Sequence, residues 1–286
     1  MRSMRASSGA PVASRRAMRD SPDPQSGVSM NTIRDQLWQD IRDEAAQAAR
    51  DEPVLASYLH RALLSHATLE SALLYNLAEL LGSSVVSALT LQQVFAQALA
   101  AAPAIGVNAR RDILAYHERD PACDRYLMPL LYFKGFHALQ VHRTAHHLWQ
   151  SGRRPLALFL QNQCSERFGV DIHPAARIGG GIMIDHATGV VIGETASVGD
   201  DVSMLHSVTL GGTGCEGGDR HPKVRAGVLI AAGAQILGNI EIGAGARIGA
   251  GSLVLDPVPP GATVVGVPAR IVAAGAAEPR AAQGVA

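Results

Sequence analysis

Asp185 and His186 stand side by side in IMIDHATGVVIGE (182–194), where the neighbours are aliphatic and spaced as in buried strands. An imidazole titrates near neutrality, so it is the side chain best suited to take a proton from a weak nucleophile such as an alcohol. It does so only in the right tautomer, which a carboxylate on its other ring nitrogen holds while stabilising the imidazolium. A second group able to do chemistry closes GGTGCEGGDRHPK (211–223), with Arg220, His221 and Lys223 following Asp219. Arginine grips a carboxylate through two parallel donors, so Arg220 with His221 reads as a site for an anionic group. The plain alternative for Arg220 is a solvated loop charge.

The elements that must position these residues repeat every six positions. Aliphatic residues recur at Ile172, Ile178 and Ile184, then at Ile192, Val198, Met204 and Leu210, and again from Val224 through Ile230, Ile236, Ile242 and Ile248 to Val254. A period this short and sustained signals a parallel β-helix, with one strand per hexapeptide and three strands to a coil. The step from Ile184 to Ile192 is two residues too long and contains Asp185 and His186. A bulge there would turn both side chains out of the stack. The segment 211–223 has five glycines and no apolar beat, so it must leave the solenoid as a loop, and loops on rigid scaffolds often carry function.

Before the repeat, the chain from Asn31 to about Phe168 reads as six or seven helices. One ends before Pro53, and leucine-rich segments follow at 54–66 and 68–81. Thr90 reads as an N-cap, and further helices are expected near 109–118, 129–151 and 155–168. In the last but one, His142 and His146 are a helical turn apart without the carboxylate of HExxH, and they read as packed or surface residues. Residues 1–29, with five arginines before Asp20 and no apolar core, are expected to be an unstructured tail or to precede a start at Met30. The 286 residues carry a formal net charge of zero, which gives no electrostatic basis for binding nucleic acid or an anionic membrane. No apolar run has the roughly 20 residues of a bilayer span. Three scattered cysteines, Cys123, Cys164 and Cys215, form no disulfide framework and suit a reducing cytoplasm.

The array carrying VDIHPAARIGGGIMIDHATG and SVTLGGTGCEGGDRHPK resembles the serine O-acetyltransferases, enzymes that acetylate L-serine on the route to cysteine. DEPVLASYLHRALLSHATLESAL and RDPACDRYLMPLLYFKGFHALQ resemble their helical N-terminal domain, and the likeness spans about residues 31–272. The resemblance implies an α + β chain: a tail over 1–30, an all-α domain over 31–169, a left-handed parallel β-helix over 170–272 with one protruding loop, and a flexible tail over 273–286. That handedness is an exception to the usual right-handed crossover. It also implies His186 as general base and Asp171 of VDIHP as its carboxylate. The step from 171 to 186 is close to one coil of three hexapeptides, so the two are expected to face each other on adjacent coils. Arg220 and His221 would hold the serine carboxylate, and Asp185 with Asp120 of RDPA the ammonium.

Acetyl-CoA is then a co-substrate, with no tightly bound cofactor or metal. Its pantetheine arm would lie in a groove between neighbouring subunits, with Gly212 admitting the thioester and Ala232 and Ala250 lining the arm. Trimers pairing into hexamers through the helical domains are implied, as is feedback inhibition by cysteine. The family also binds O-acetylserine sulfhydrylase through a tail commonly ending in isoleucine. The ending EPRAAQGVA departs from that pattern and counts against the complex. Three other readings compete: an acetyltransferase for another hydroxyl such as a sugar's, a β-helical carbonic anhydrase with His173, His186 and His206 on zinc, and a scaffold solenoid.

Overall fold

The computed structural model describes residues 30–214 and 217–273. Most of the N-terminal tail, the final residues on which the sulfhydrylase expectation rests, and Cys215 lie outside them. No single helix among the described residues is long and apolar enough to cross a membrane.

The helical half begins with α1 (Met30–Asp51), which buries Leu37, Trp38, Ile41 and Ala45 on one face. A short α2 (Ala56–Leu59) sits between a 3-10 turn and a π turn. Thr68 caps α3 (Leu69–Leu81), its Oγ1 accepting from the Ser71 N–H at 3.2 Å. The cap of α4 (Ala88–Ala101) is Ser87, not Thr90: the Thr90 N–H donates to Ser87 Oγ at 3.2 Å, so the helix starts earlier than its apolar pattern suggests. After α5 (Ala104–Arg119), the single helix expected over 129–151 is two, α6 (Leu127–Tyr132) and α7 (Lys134–Gln150), parted by extended backbone at Phe133. Finally α8 (Arg154–Phe168) stops at Gly169, which has a φ of 66° that glycine adopts without a Cβ clash.

The hexapeptides form three parallel stacks. One face holds β1 (Val170–Ile172), β4 (Val190–Ile192), β7 (Thr209–Gly211), β10 (Gln235–Leu237) and β13 (Leu253–Val254); a second holds β2 (Arg177–Ile178), β5 (Ser197–Val198), β8 (Lys223–Val224) and β11 (Glu241–Ile242). The third holds β3 (Met183–Ile184), β6 (Ser203–Met204), β9 (Leu229–Ile230), β12 (Arg247–Ile248) and β14 (Thr263–Gly266), closed by the antiparallel β15 (Ala269–Ala273). The beat residues Ile172, Ile184, Ile192, Ile230, Ile236, Ile242 and Ile248 are buried inside. This is the hexapeptide β-helix expected, with an all-α domain before it.

The apolar core runs without a break from the helices into the solenoid, and a buried ion pair joins the two. Asp112 Oδ2 accepts from Arg143 Nη2 at 2.7 Å and Gln140 Nε2 at 2.9 Å, while Oδ1 accepts from the Ile182 N–H at 2.9 Å. Arg143 Nη2 also donates to the Gly179 carbonyl at 2.8 Å. Every charge here is answered, so breaking the pair leaves an uncompensated guanidinium in the core. Asp112→Ala is expected to cost about 3–5 kcal/mol, read as a lowered urea midpoint; a midpoint shift equivalent to under about 1 kcal/mol would refute the junction's role.

Candidate active site

The two extra residues of the repeat fall where β3 turns into β4. Val170 pairs with Val190, whereas Val191 pairs with Thr209, so the first coil is longer than the next by those two positions. The later turns at this corner each carry one left-handed residue, Ser207 (φ 57°), Gly233 (72°) and Gly251 (64°). The turn at 185–189 instead takes two non-glycine residues in succession, His186 at 56° and Ala187 at 58°, before Gly189. Such backbone costs roughly 1–3 kcal/mol per residue and concentrates at functional sites. Its effect is to leave the His186 side chain 71% exposed, with Nε2 3.4 Å from Asp185 Oδ2.

Two helices brace this turn. The Tyr116 hydroxyl of α5 donates to the Ile184 carbonyl at 2.8 Å and accepts from the Ile184 N–H at 3.0 Å. Burial pushes the phenol's pKa well up, so it stays a donor. Gly135 of α7 lies so close that a Cβ there would sit 2.1 Å from the same carbonyl. Between helices and turn opens a cavity of about 460 Å³ whose walls include Asp120, Tyr132, Lys134, Asp185, His186 and Thr188. Asp120 caps the end of α5, so the expected meeting of this helical carboxylate with Asp185 and His186 is what the fold produces.

Arg220 and His221 are elsewhere in the same chain, at the corner that follows β4. Arg220 Nη2 pairs with Glu194 Oε2 at 2.8 Å, which holds the Glu194 carboxyl below the usual range. Thr195 Oγ1 accepts the backbone N–H groups of Arg220 (3.0 Å) and His221 (3.1 Å). Having accepted two donors, this hydroxyl gives its own proton to His221 Nδ1, 2.8 Å away, and the Thr195 N–H donates to the same nitrogen at 3.2 Å. The neutral ring therefore carries its proton on Nε2. Burial and the neighbouring Arg220 and Lys223 lower its pKa and keep it neutral. The ring packs on Gly193, where a Cβ would come within 2.0 Å of it, and Gly212 lies against Arg220 at the base of the loop.

Asp171 is not beside His186 within the chain. One coil beyond Asp171 lies Val191; the step from 171 to 186 is shorter than this coil and than the ordinary one from Val191 to Thr209, so it ends at the corner before β4. Asp171 Oδ1 instead accepts from Gln161 Nε2 of α8 at 2.6 Å. Ala232 and Ala250 do line up with the His186 corner, through Gly233 N–H to His206 O at 3.0 Å and Gly251 N–H to Ala232 O at 2.8 Å. His206 stacks edge-on to His186 with centroids 5.8 Å apart, while His173 packs on Trp149 at 5.0 Å. The three histidines of the zinc reading thus do not converge in one chain. Among the described residues, no group of three or more His, Cys, Asp or Glu is placed to hold a metal. His146 Nδ1 is hydrogen-bonded to the Pro174 carbonyl at 2.7 Å, and His142 is buried.

Glu194, Thr195 and Tyr116 escape the sequence reading. Glu194 and Thr195 occupy an ordinary hexapeptide corner, and Tyr116 is one aromatic on an apolar helix face. Nothing local marks them; only the fold reveals their partners.

Residues 37–141 match the family described as "Serine acetyltransferase, N-terminal", and residues 221–256 match "Bacterial transferase hexapeptide (six repeats)". The serine acetyltransferase of Escherichia coli K12 is 60% identical over 236 residues, covering 82% of this chain and 86% of that protein. A Neisseria gonorrhoeae serine acetyltransferase solved in complex with serine is 57% identical with a TM-score of 0.80, covering 82% of this chain and 96% of that one. A Brucella abortus serine acetyltransferase solved in complex with coenzyme A is 51% identical with a TM-score of 0.85, covering 87% and 100%.

Proposed function

The chain belongs to the serine acetyltransferase family and moves an acetyl group from acetyl-CoA to the hydroxyl of L-serine, giving O-acetylserine; we propose that His186 is its general base and that Asp171, Arg220 and His221 complete the site from a neighbouring subunit. One observation carries this reading. The Asp120–Asp185–His186 cavity and the Arg220–His221–Gly212 cluster stand at opposite edges of the same strand face, the one built on β1 and β4. Each is half a site. A ring of identical chains brings two different edges of each protomer together when the rotation closes. A homotrimer of this kind sets the His186 corner of one chain against the loop corner of the next, with Asp171 on the face between them. The partly exposed Val191 on that face fits burial in such a contact. Exposed Val54, Val85 and Leu89 on the helical half support pairing of trimers into hexamers there. Buried free Cys123 and Cys164 suit a cytoplasmic location.

In the completed site, Arg220 grips the serine carboxylate with two donors, and His221 offers its Nε2–H as a further one. Asp120 and Asp185 hold the ammonium. His186 takes the hydroxyl proton as the serine oxygen attacks the acetyl carbonyl carbon, and the Gly212 amide region receives the developing oxyanion. Collapse breaks the carbon–sulfur bond, and the departing thiolate takes the proton back from the imidazolium. The pantetheine arm follows the small residues Ala232 and Ala250. Cysteine has the same carboxylate and ammonium with sulfur in place of oxygen, so it occupies the same grips and inhibits in competition with serine.

Loss of a bidentate charged contact predicts that Arg220→Ala raises the serine KM about 10²-fold. The acetyl-CoA KM is expected to change little, and cysteine inhibition to weaken in parallel. Steady-state kinetics at varied serine and cysteine decide. An unchanged serine KM would remove Arg220 from the substrate site.

A further inference from the structure

The helix that ends beside Asp120 meets the solenoid along one face. Asp112, Tyr116 and Arg119 of α5 are spaced by four and then three residues, so their side chains point the same way. The first two hold β3, Asp112 through the Ile182 N–H and Tyr116 through both backbone groups of Ile184. Arg119, the last residue of the helix, takes hold of two coils at once. Its Nη1 donates to the carbonyls of Gly181 at 2.9 Å and Asp201 at 3.1 Å and lies 3.3 Å from Ser203 Oγ. Its Nη2 donates to Asp201 Oδ1 at 3.2 Å. Gly181 leads into β3, and Asp201 occupies the same corner one coil on, leading into β6. These anchors are packed together: a Cβ at Gly181 would come within 2.2 Å of Asp201 Oδ1.

Asp120 has no such hold of its own. It follows the last helical residue with extended backbone (ψ 109°), and among the described residues its carboxylate accepts only from the Ala122 N–H, at 2.9 Å. The other carboxylate oxygen is left for a ligand in the cavity shared with Asp185 and His186. Where Asp120 stands relative to those two residues is therefore set by where the end of α5 lies on the solenoid. Arg119 fixes that end. An exposed ion pair would contribute little, but this guanidinium is only 29% exposed and two of its acceptors are backbone carbonyls of the coils. A planar fork on fixed acceptors defines a position as well as a charge.

We propose that Arg119 is a positioning residue for acceptor recognition: it holds the end of α5 so that the Asp120 carboxylate meets the acceptor's ammonium, and so sets the preference for an amino acid over the same hydroxy acid without the amine. This role rests on Asp120 being an ammonium contact, as proposed above. Arg119 touches no reacting group. Its effect is on where Asp120 lies, and a displacement of about 1 Å at a binding group is enough to cost up to about 10²-fold.

Acetyl transfer by the full chain to L-serine and to 3-hydroxypropanoate, which keeps the carboxylate and hydroxyl but lacks the ammonium, tests this through the ratio of the two kcat/KM values. The parent is expected to prefer serine by about 10²-fold, as charge-assisted contacts to the ammonium provide. Arg119→Met should cut that preference about tenfold, by loss on serine. A merely structural role would lower transfer to both acceptors by one factor and leave the ratio where it was. Arg119→Lys keeps the charge without the fork; its ratio should fall between those of the parent and Arg119→Met, and it decides alone if Arg119→Met does not fold. Asp120→Asn should reduce the ratio at least as far, and adding Arg119→Met to it should reduce the ratio no further, because the two act on one contact. The proposal is overturned if the Arg119 variants leave the ratio at the parental value, or if the double variant falls well below Asp120→Asn. A ratio lowered by Asp120→Asn but not by Arg119→Met sinks this proposal alone; a ratio unmoved by Asp120→Asn removes Asp120 from ammonium binding and this proposal with it.

Discussion

His186→Ala will lower kcat for acetyl transfer to serine by a factor on the order of 10²–10⁴, the range a positioned general base supplies, with the thermal melt nearly unchanged. The melt should hold because the ring is exposed and packs into no core. The backbone at 186 is left-handed, a conformation asparagine tolerates better than alanine. His186→Asn therefore separates loss of the base from strain in the turn: both variants should lose turnover equally, and the asparagine variant should melt no lower than the alanine one. Neither substitution should raise the serine KM to match, because the ring's contribution grows in the transition state, not on binding. Residual activity above solution remains from orientation and oxyanion stabilisation. A kcat within tenfold of the parent would show that another group takes the proton.

The architecture was legible because burial dictates it. A core one side chain wide accepts an aliphatic residue at every sixth position, so the solenoid writes its period into the sequence, and the excess after Ile184 is visible as a slip. The spacing argument for Asp171 failed for a simpler reason: the step from 171 to 186 is shorter than even an ordinary coil, the one from Val191 to Thr209, so it ends at the corner before β4 and not above Asp171. Asp120 is a different case. It lies far upstream of Asp185 and looks like any helix-end acid; family likeness alone singled it out, and the bracing of Ile184 by Tyr116 explains how it arrives. Helix limits were read less well, since apolar spacing continues through Phe133 although the backbone there is extended. Side-chain partners such as Glu194 on Arg220 arise from the stacking of one coil on another, which no local pattern records.

Mixing two inactive variants will restore activity if the site is shared between chains. His186→Ala keeps Asp171, and Asp171→Asn keeps His186; each alone should lose most turnover, the second because an amide in place of the carboxylate no longer favours the working tautomer. Subunits denatured and refolded together at equal concentration assemble at random. In a closed ring, each site takes His186 from one protomer and Asp171 from the next, so about a quarter of the sites receive both intact groups. The mixture should therefore regain about a quarter of the parental kcat, while either variant refolded alone regains nothing. Sedimentation of the same mixture at the mass of three or six chains confirms that rings, not monomers, carry the activity. Were the two groups to work within one chain, every protomer in the mixture would hold one broken site and mixing would recover nothing. Should Asp171→Asn alone keep full turnover, Asp171 is not the partner of His186. The 3.4 Å approach of Asp185 to the ring would then be the one carboxylate contact left to orient it.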